Sequence, residues 1–226
     1  MALKSIEREV IGCRACPRLV EWRERVARDK IARFADQNYW GRPVPGFGDA
    51  EAGMLVLGLA PAAHGGNRTG RIFTGDRSGD FLYASVHRVG IANQPTSEAR
   101  GDGLALRGAY VTAVNRCAPP ANKPTPEERD RCAPYLAREL ALLDDVGVVV
   151  ALGQFAYDAA CRLFAVRPRP RFGHGVEVAL PAGRTLLSSY HPSQQNTFTG
   201  TLTEPAFDAI FTRARRLVTV RAAGGT

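Results

Sequence analysis

Four short apolar runs, Met54–Ala60, Ala109–Asn115, Gly147–Leu152 and Thr185–Tyr190, constrain this chain more than any other feature. Each is apolar or β-branched and bounded by Gly or Pro, the pattern of a strand buried on both faces. Helical patterns separate most of them: Leu19–Phe34, Gly79–Val89, Gln154–Val166 and Glu204–Val220. Alternating strand and helix predicts an α/β fold, a three-layer α/β/α sandwich with a central, mainly parallel four-stranded sheet. With 226 residues, 45% of them hydrophobic, the chain can bury such a core as one domain over 1–226. Val176, Val178 and Leu180 alternate before the fourth run and predict a small antiparallel addition.

Between the second and third runs, Thr125-Pro126-Glu127-Glu128 is a strong helix start: Thr125 as N-cap, Pro126 at the first helical position, Glu128 closing a capping box. Pro134 lacks the N–H that a continuing helix needs, so a break or kink is expected near Arg131–Ala133, with Cys132 there and Tyr135–Leu143 as a second helical piece. Ala222–Thr226 reads as a frayed tail.

The N-terminus has no uninterrupted apolar segment and no stretch approaches a membrane span, so a cytosolic protein with no membrane partner is expected. The formal charge is +8, which attracts polyanions. Two readings stand: a nucleic-acid partner, or a compositional bias, since only three of the thirty basic residues are lysines, Lys4, Lys30 and Lys123.

Open parallel sheets bind ligands beyond the carboxyl ends of their strands. There the sequence places Gly58-Leu59-Ala60-Pro61-Ala62-Ala63-His64-Gly65, Asn115-Arg116-Cys117-Ala118-Pro119-Pro120, Gly153-Gln154 and His191-Pro192-Ser193-Gln194-Gln195-Asn196. The glycine-rich stretch Gly65–Gly79 lacks the lysine and spacing of a P-loop, which excludes that kind of nucleoside triphosphate site. Arg68, Arg71 and Arg77 could supply phosphate contacts, or the stretch could be a solvated loop. Phe73 is either a plug packed on the core or a platform on which a base stacks. His191 is either part of an ordinary His-Pro turn or a donor placed to steady an anionic leaving group.

Cys13-x-x-Cys16, with Cys117 and Cys132 separated by fourteen intervening residues, offers four thiolates. Four thiolates hold either zinc or a four-iron cluster, and in a reducing compartment both are more plausible than disulfides. Cys161, in an apolar helix, reads as a buried small residue.

Together these segments resemble the uracil-DNA glycosylase superfamily, most closely its family 5, the type-B enzymes of prokaryotes. The resemblance runs from Cys13 nearly to the last helix and is carried by Tyr39–Asp49 (YWGRPVPGFGD), the first motif Gly58–Gly65, Gly70–Asp76 (GRIFTGD) and the second motif His191-Pro192-Ser193. It implies a monofunctional DNA N-glycosylase that rotates a deaminated base, uracil and by extension hypoxanthine, out of DNA and hydrolyses its N-glycosidic bond. It further implies that Phe73 stacks on the base, that His191 donates to its carbonyl, and that Asn122 helps hold base or water. Gly58 and Ala60 would line the base pocket. Ser193, Gln194, Gln195 and Asn196 would meet the DNA, with Gln194, Gln195 and Phe198 able to fill the vacated space.

Cys13, Cys16, Cys117 and Cys132 would bind a structural 4Fe-4S cluster in preference to zinc. A monomer acting near the nucleoid is expected. Where many superfamily members carry a carboxylate or amide in the first motif, this chain has Ala60, Ala62 and Ala63. Asp76 is the nearest replacement, and it could equally be the N-cap of the following helix. The competing implication is a chain that kept the fold as an iron–sulfur DNA-binding or sensing protein and lost catalysis.

Overall fold

The computed structural model describes residues 2–224, with side-chain surroundings through residue 220. Four strands form a parallel centre: β2 (Met54–Gly58), β3 (Ala109–Ala113), β4 (Val148–Leu152) and β6 (Arg184–Ser189). Two antiparallel edge strands, β1 (Phe47–Gly48) beside β3 and β5 (Glu177–Leu180) beside β6, complete a six-stranded sheet of order β1-β3-β2-β4-β6-β5. The sheet is therefore six-stranded rather than four-stranded. The β5 edge is the alternating segment of the sequence; β1 is only two residues long and half glycine, too short to show a period. Gly48, at φ +141°, lets this edge close onto β3, because a Cβ there would lie 2.4 Å from the Ala109 carbonyl oxygen.

Every position of β2, β3 and β4 is buried, and successive side chains serve opposite faces. On one face Met54, Val56, Val148 and Val150 pack with Leu82, Tyr83 and Val86 of α4 (Arg77–Arg88) and Phe207, Ile210 and Phe211 of α8 (Glu204–Gly224). On the other, Leu55, Leu57, Val149 and Ala151 meet Leu136 and Leu140 of α5 (Pro126–Leu140) and Tyr157, Ala160 and Cys161 of α6 (Gln154–Leu163). Cys161 is a core residue, as its surroundings in the sequence imply.

Two helices precede the sheet, α1 (Leu3–Gly12) and α2 (Pro17–Asp29), and two short ones, α3 (Gly66–Thr69) and α7 (Gln194–Phe198), lie in the loops after β2 and β6. The capping box of α5 forms: Glu128 N–H donates to Thr125 Oγ1, and Thr125 N–H to Glu128 Oε2 at 2.8 Å. The expected break at Pro134 does not occur; α5 runs through it to Leu140, with Cys132 inside the helix. Pro134 and Asp130 are both exposed, so the Asp130 carbonyl deprived of its i+4 donor faces water, which supplies a partner. Helix α8 takes in residues 222–224, expected to fray; the rest of that tail, Gly225 and Thr226, lies outside the described residues. Among the described residues no helix is long and apolar enough to cross a membrane.

Candidate active site and cysteine pocket

The carboxyl ends of β2, β4 and β6 bring Gly58, Gly153 and His191 to one rim. Gly153 N–H donates to Ser189 O at 2.8 Å, and at φ +87° it leaves room for the neighbouring loop, since a Cβ on it would sit 3.1 Å from His191 Cβ. Gly58 plays the same part for Phe73: an added Cβ would lie 2.7 Å from ring atoms Cε2 and Cζ. Phe73 itself has φ +52°, a left-handed conformation that costs a bulky residue of order 1–3 kcal/mol and is retained where the surroundings enforce it. Gly79 supplies part of that enforcement, because a Cβ there would fall 1.8 Å from the Phe73 carbonyl oxygen. The half-buried ring that results stands 5.9 Å from the His191 ring, centroid to centroid, inclined at 35°.

The His191 loop is fastened by Asn196, whose Nδ2 donates to the His191 carbonyl at 2.8 Å. Asn196 thus holds the histidine's own loop. Burial pushes the His191 imidazole down to about 4, so at neutral pH it is uncharged. A neutral imidazole offers one N–H donor and one acceptor, the form suited to a hydrogen bond with a carbonyl that gains negative charge.

Asp76 is the N-cap of the following helix, and its second oxygen faces the first-motif loop. Oδ1 caps α4 by accepting from Gly79 N–H at 3.0 Å. Oδ2 points at the first-motif loop: a Cβ on Gly65 would come within 2.0 Å of it. Gly65 has negative φ, so glycine is needed there for space rather than for backbone freedom. Burial raises the Asp76 carboxyl above its ordinary range, outweighing the backbone donors of Gly79 and Ser78 that favour the charged form. The Asp76 carboxyl group thereby stands against the first-motif loop at Gly65, close to Ala62, in a motif that carries no carboxyl of its own.

The remaining expected residues fall into three groups. Arg71, expected at the DNA, is buried, pairs with Asp102, and donates to Thr74 Oγ1 and Ser97 Oγ, so its donors are engaged in folding the loop. Burial alone would raise the Asp102 carboxyl, but Arg71 and the backbone N–H groups of Glu98, Leu104 and Ala99 hold it well below its usual range. Arg68 is half-buried and braces its own loop, donating to His64 O at 2.7 Å and Gly75 O at 2.8 Å. Asn122 is exposed at φ +56°, and no hydrogen bond ties its side chain to Phe73, His191 or Asp76.

By contrast, Arg77, Gln194 and Gln195 are exposed, Ser193 is half-buried, and Ala60 is half-buried at the mouth of the first motif. The Arg77 guanidinium lies 5.1 Å from the ring of Phe198, which is 66% exposed.

An open cleft of about 1530 Å³ runs past Asp76, lined by Arg33, Arg42, Arg68, Arg77 and Arg100 together with Trp40 and Phe198. Arg100 and Arg42 stand 4.6 and 5.7 Å from the Trp40 ring. Arg33, Arg42, Arg100 and Trp40 were not singled out as site residues from the sequence. The basic–aromatic run Tyr39-Trp40-Gly41-Arg42 was the available signal for two of them.

On the far side of Arg23, Cys13 at the end of α1, Cys16 at the cap of α2, Cys117 after β3 and Cys132 within α5 line one pocket. Burial pushes the Cys117 thiol up to about 11 and the Cys132 thiol up to about 12, so holding them as thiolates requires a cation. N–H groups are already aimed at the sulfurs: Arg23 Nη1 donates to Cys117 Sγ at 2.9 Å and Arg116 N–H to Cys132 Sγ at 3.3 Å. Four sulfurs lining one pocket, with N–H groups aimed at two of them, are the donor chemistry of a thiolate-ligated group. Among the described residues, no group of three or more His, Cys, Asp or Glu side chains is arranged to hold a metal ion.

Comparison with known proteins identifies the family. The sequence profile described as "Uracil DNA glycosylase superfamily" matches residues 45–215. A type-5 uracil-DNA glycosylase of Mycobacterium bovis is 58% identical over 208 residues, 91% of this chain and 78% of the relative. The type-5 uracil-DNA glycosylase of Thermus thermophilus is 54% identical, over 91% of this chain and 94% of its own. That of Pyrobaculum aerophilum is 43% identical, over 91% and 88%.

Proposed function

This chain belongs to the uracil DNA glycosylase superfamily, among the type-5 enzymes, and on that premise we propose that it hydrolyses the N-glycosidic bond of uracil in DNA, leaving an abasic site. The observation that carries the reading is the group at the sheet's rim: Phe73 held over Gly58, a neutral His191 beside it, and the Asp76 carboxylate facing the first motif. To reach the bond in a duplex the enzyme rotates the nucleotide out of the stack, at a cost of a few kcal/mol that falls for a mispaired base. Phe73 receives the base by stacking. His191 donates to the pyrimidine carbonyl as the base departs with its electron pair, and the Asp76 carboxylate steadies the positive charge left on the sugar.

Water then adds to the sugar carbon and loses its proton. Because catalysis rests on placed charge more than on a strong base, alanines in the first motif are tolerated and hypoxanthine is accepted as well. Ser193, Gln194, Gln195 and Arg77 meet the DNA backbone, with Phe198 filling the vacated space. Cys13, Cys16, Cys117 and Cys132 would hold a 4Fe-4S cluster, which supplies a structural tie between α1, α2, α5 and the loop after β3 and takes no part in excision. Incubating the purified protein with duplexes that carry one uracil, hypoxanthine or xanthine, and scoring abasic sites, tests the proposal. Excision of uracil and hypoxanthine is expected, and intact strands throughout would refute it.

A further inference from the structure

The cysteine pocket is lined by three buried side chains whose bonding within the protein is incomplete: Arg23, Asn115 and Arg116, the last at its Nε alone. The Arg23 side chain is 3% exposed; Nη1 donates to Cys117 Sγ, Nη2 donates to Cys13 O at 3.2 Å, and Nε has no partner. Its nearest carboxylate oxygen, on Glu24, is 3.8 Å away and well exposed, beyond hydrogen-bond reach. Asn115 is fully buried, lines the same pocket, and leaves both Nδ2 and Oδ1 unpaired. Arg116 differs in charge balance alone: it is equally buried and its Nε likewise lacks a partner, yet its other nitrogens close on Glu139 at 2.5 Å and on Thr112. A buried cation whose nearest carboxylate is an exposed one at 3.8 Å, in the same pocket as an amide with no partner, is costly, and an anion held there would accept from Arg23 Nε and Asn115 Nδ2.

Resting on the cluster reading above, we propose that Arg23 and Asn115 are positioning residues for the anionic iron–sulfur group: Arg23 is its buried counter-charge, and Asn115 Nδ2–H donates to one of its sulfurs. Four thiolates bring more negative charge than a ferric–ferrous core offsets, so the group as a whole is an anion and a guanidinium in the pocket wall lowers the cost of burying it. Asn67 supports the arrangement from outside, donating its Nδ2 to the Arg23 carbonyl at 3.2 Å and fixing where the arginine leaves α2.

The test is retention of iron, independent of glycosylase activity. Anaerobically purified wild type, Arg23→Met, Arg23→Lys and Asn115→Leu are assayed for iron per chain. The decay of visible absorbance is then followed in excess chelator, well below each protein's melting temperature, with the core variant Leu143→Ala as a control for general destabilisation. Outer-layer partners of metal ligands typically change affinity on the order of 10–100-fold, so Arg23→Met and Asn115→Leu should lose iron at least about tenfold faster than wild type, with Arg23→Lys between. Leu143→Ala should lose iron at the wild-type rate. Iron-loaded Arg23→Met and Asn115→Leu that decay like wild type would overturn the inference while leaving the cluster reading intact. Loss equally fast in Leu143→Ala would overturn it too, and wild type without iron would remove both.

Discussion

Replacing Asp76 by Asn separates charge from shape at the one carboxylate that faces the first motif. Asn and Asp are nearly equal as N-caps, so the bond to Gly79 N–H survives and the change in helix stability stays within a few tenths of a kcal/mol. Burial raises the Asp76 carboxyl. The native state therefore holds its proton more tightly than the unfolded chain, so stability falls as pH rises through the folded value. Burying the ionised form is costly to the fold and Asn removes that cost, so the melting temperature should be unchanged or higher.

Activity should move the other way. Removing one preorganised electrostatic group costs on the order of 10²–10³ in rate, or about 2.7–4 kcal/mol of transition-state stabilisation. Single-turnover excision on a uracil duplex, with thermal melts on the same preparations, reads both. The slowing should be larger on hypoxanthine, whose departure needs more help from the sugar side. Full activity in Asp76→Asn, or a loss of rate matched by a loss of stability, would refute the electrostatic role.

Gly65→Ala should slow excision like Asp76→Asn while leaving the charge in place, because its Cβ would fall 2.0 Å from Asp76 Oδ2 and drive the carboxylate aside; wild-type single-turnover rates would contradict this. His191→Ala should lose on the order of 10²–10³ in single-turnover rate with little change in DNA affinity, whereas equal losses in both would mark a structural residue. The neutral His191 donor persists down to its value of about 4, so the His191-dependent part of the pH–rate profile should stay level from pH 8 to about pH 5 and fall only below that. Since burial depresses that value below the ordinary one for histidine, the unfolded chain binds the extra proton first, and His191 costs stability as pH falls from about 6.5 to 4. Arg71→Ala strands the Asp102 carboxylate and should destabilise the fold by roughly 3–5 kcal/mol in a denaturant titration; a loss of DNA affinity at unchanged stability would return Arg71 to the DNA surface.

The parallel centre of the sheet was legible because β2, β3 and β4 are buried on both faces and read as unbroken apolar runs. The β1 edge was not, because two residues carry no period and its glycines act through contacts with Ala109 and Tyr110 far along the chain. Pro134 misled for a related reason: the rule concerns a missing hydrogen bond, and exposure to water decides whether that loss ends a helix. In the candidate site, His191 was read from its position after a strand end, whereas Phe73 and Asp76 were reached through the resemblance of the glycine-rich segment. Sequence alone could not separate Arg71 from Arg77, which lie six residues apart in one loop segment, because only the fold sets Arg71 against Asp102 and leaves Arg77 beside Phe198. The Gly65 contact was invisible for the same reason, as it depends on where an aspartate oxygen eleven residues later points.

The most direct test of the account is a single-turnover reaction of the wild-type protein on paired duplexes that differ only in one uracil replacing thymine. The account predicts that free uracil is released in step with alkali-labile abasic strand, and that the thymine duplex stays intact. Binding to both duplexes without release of any base would contradict it.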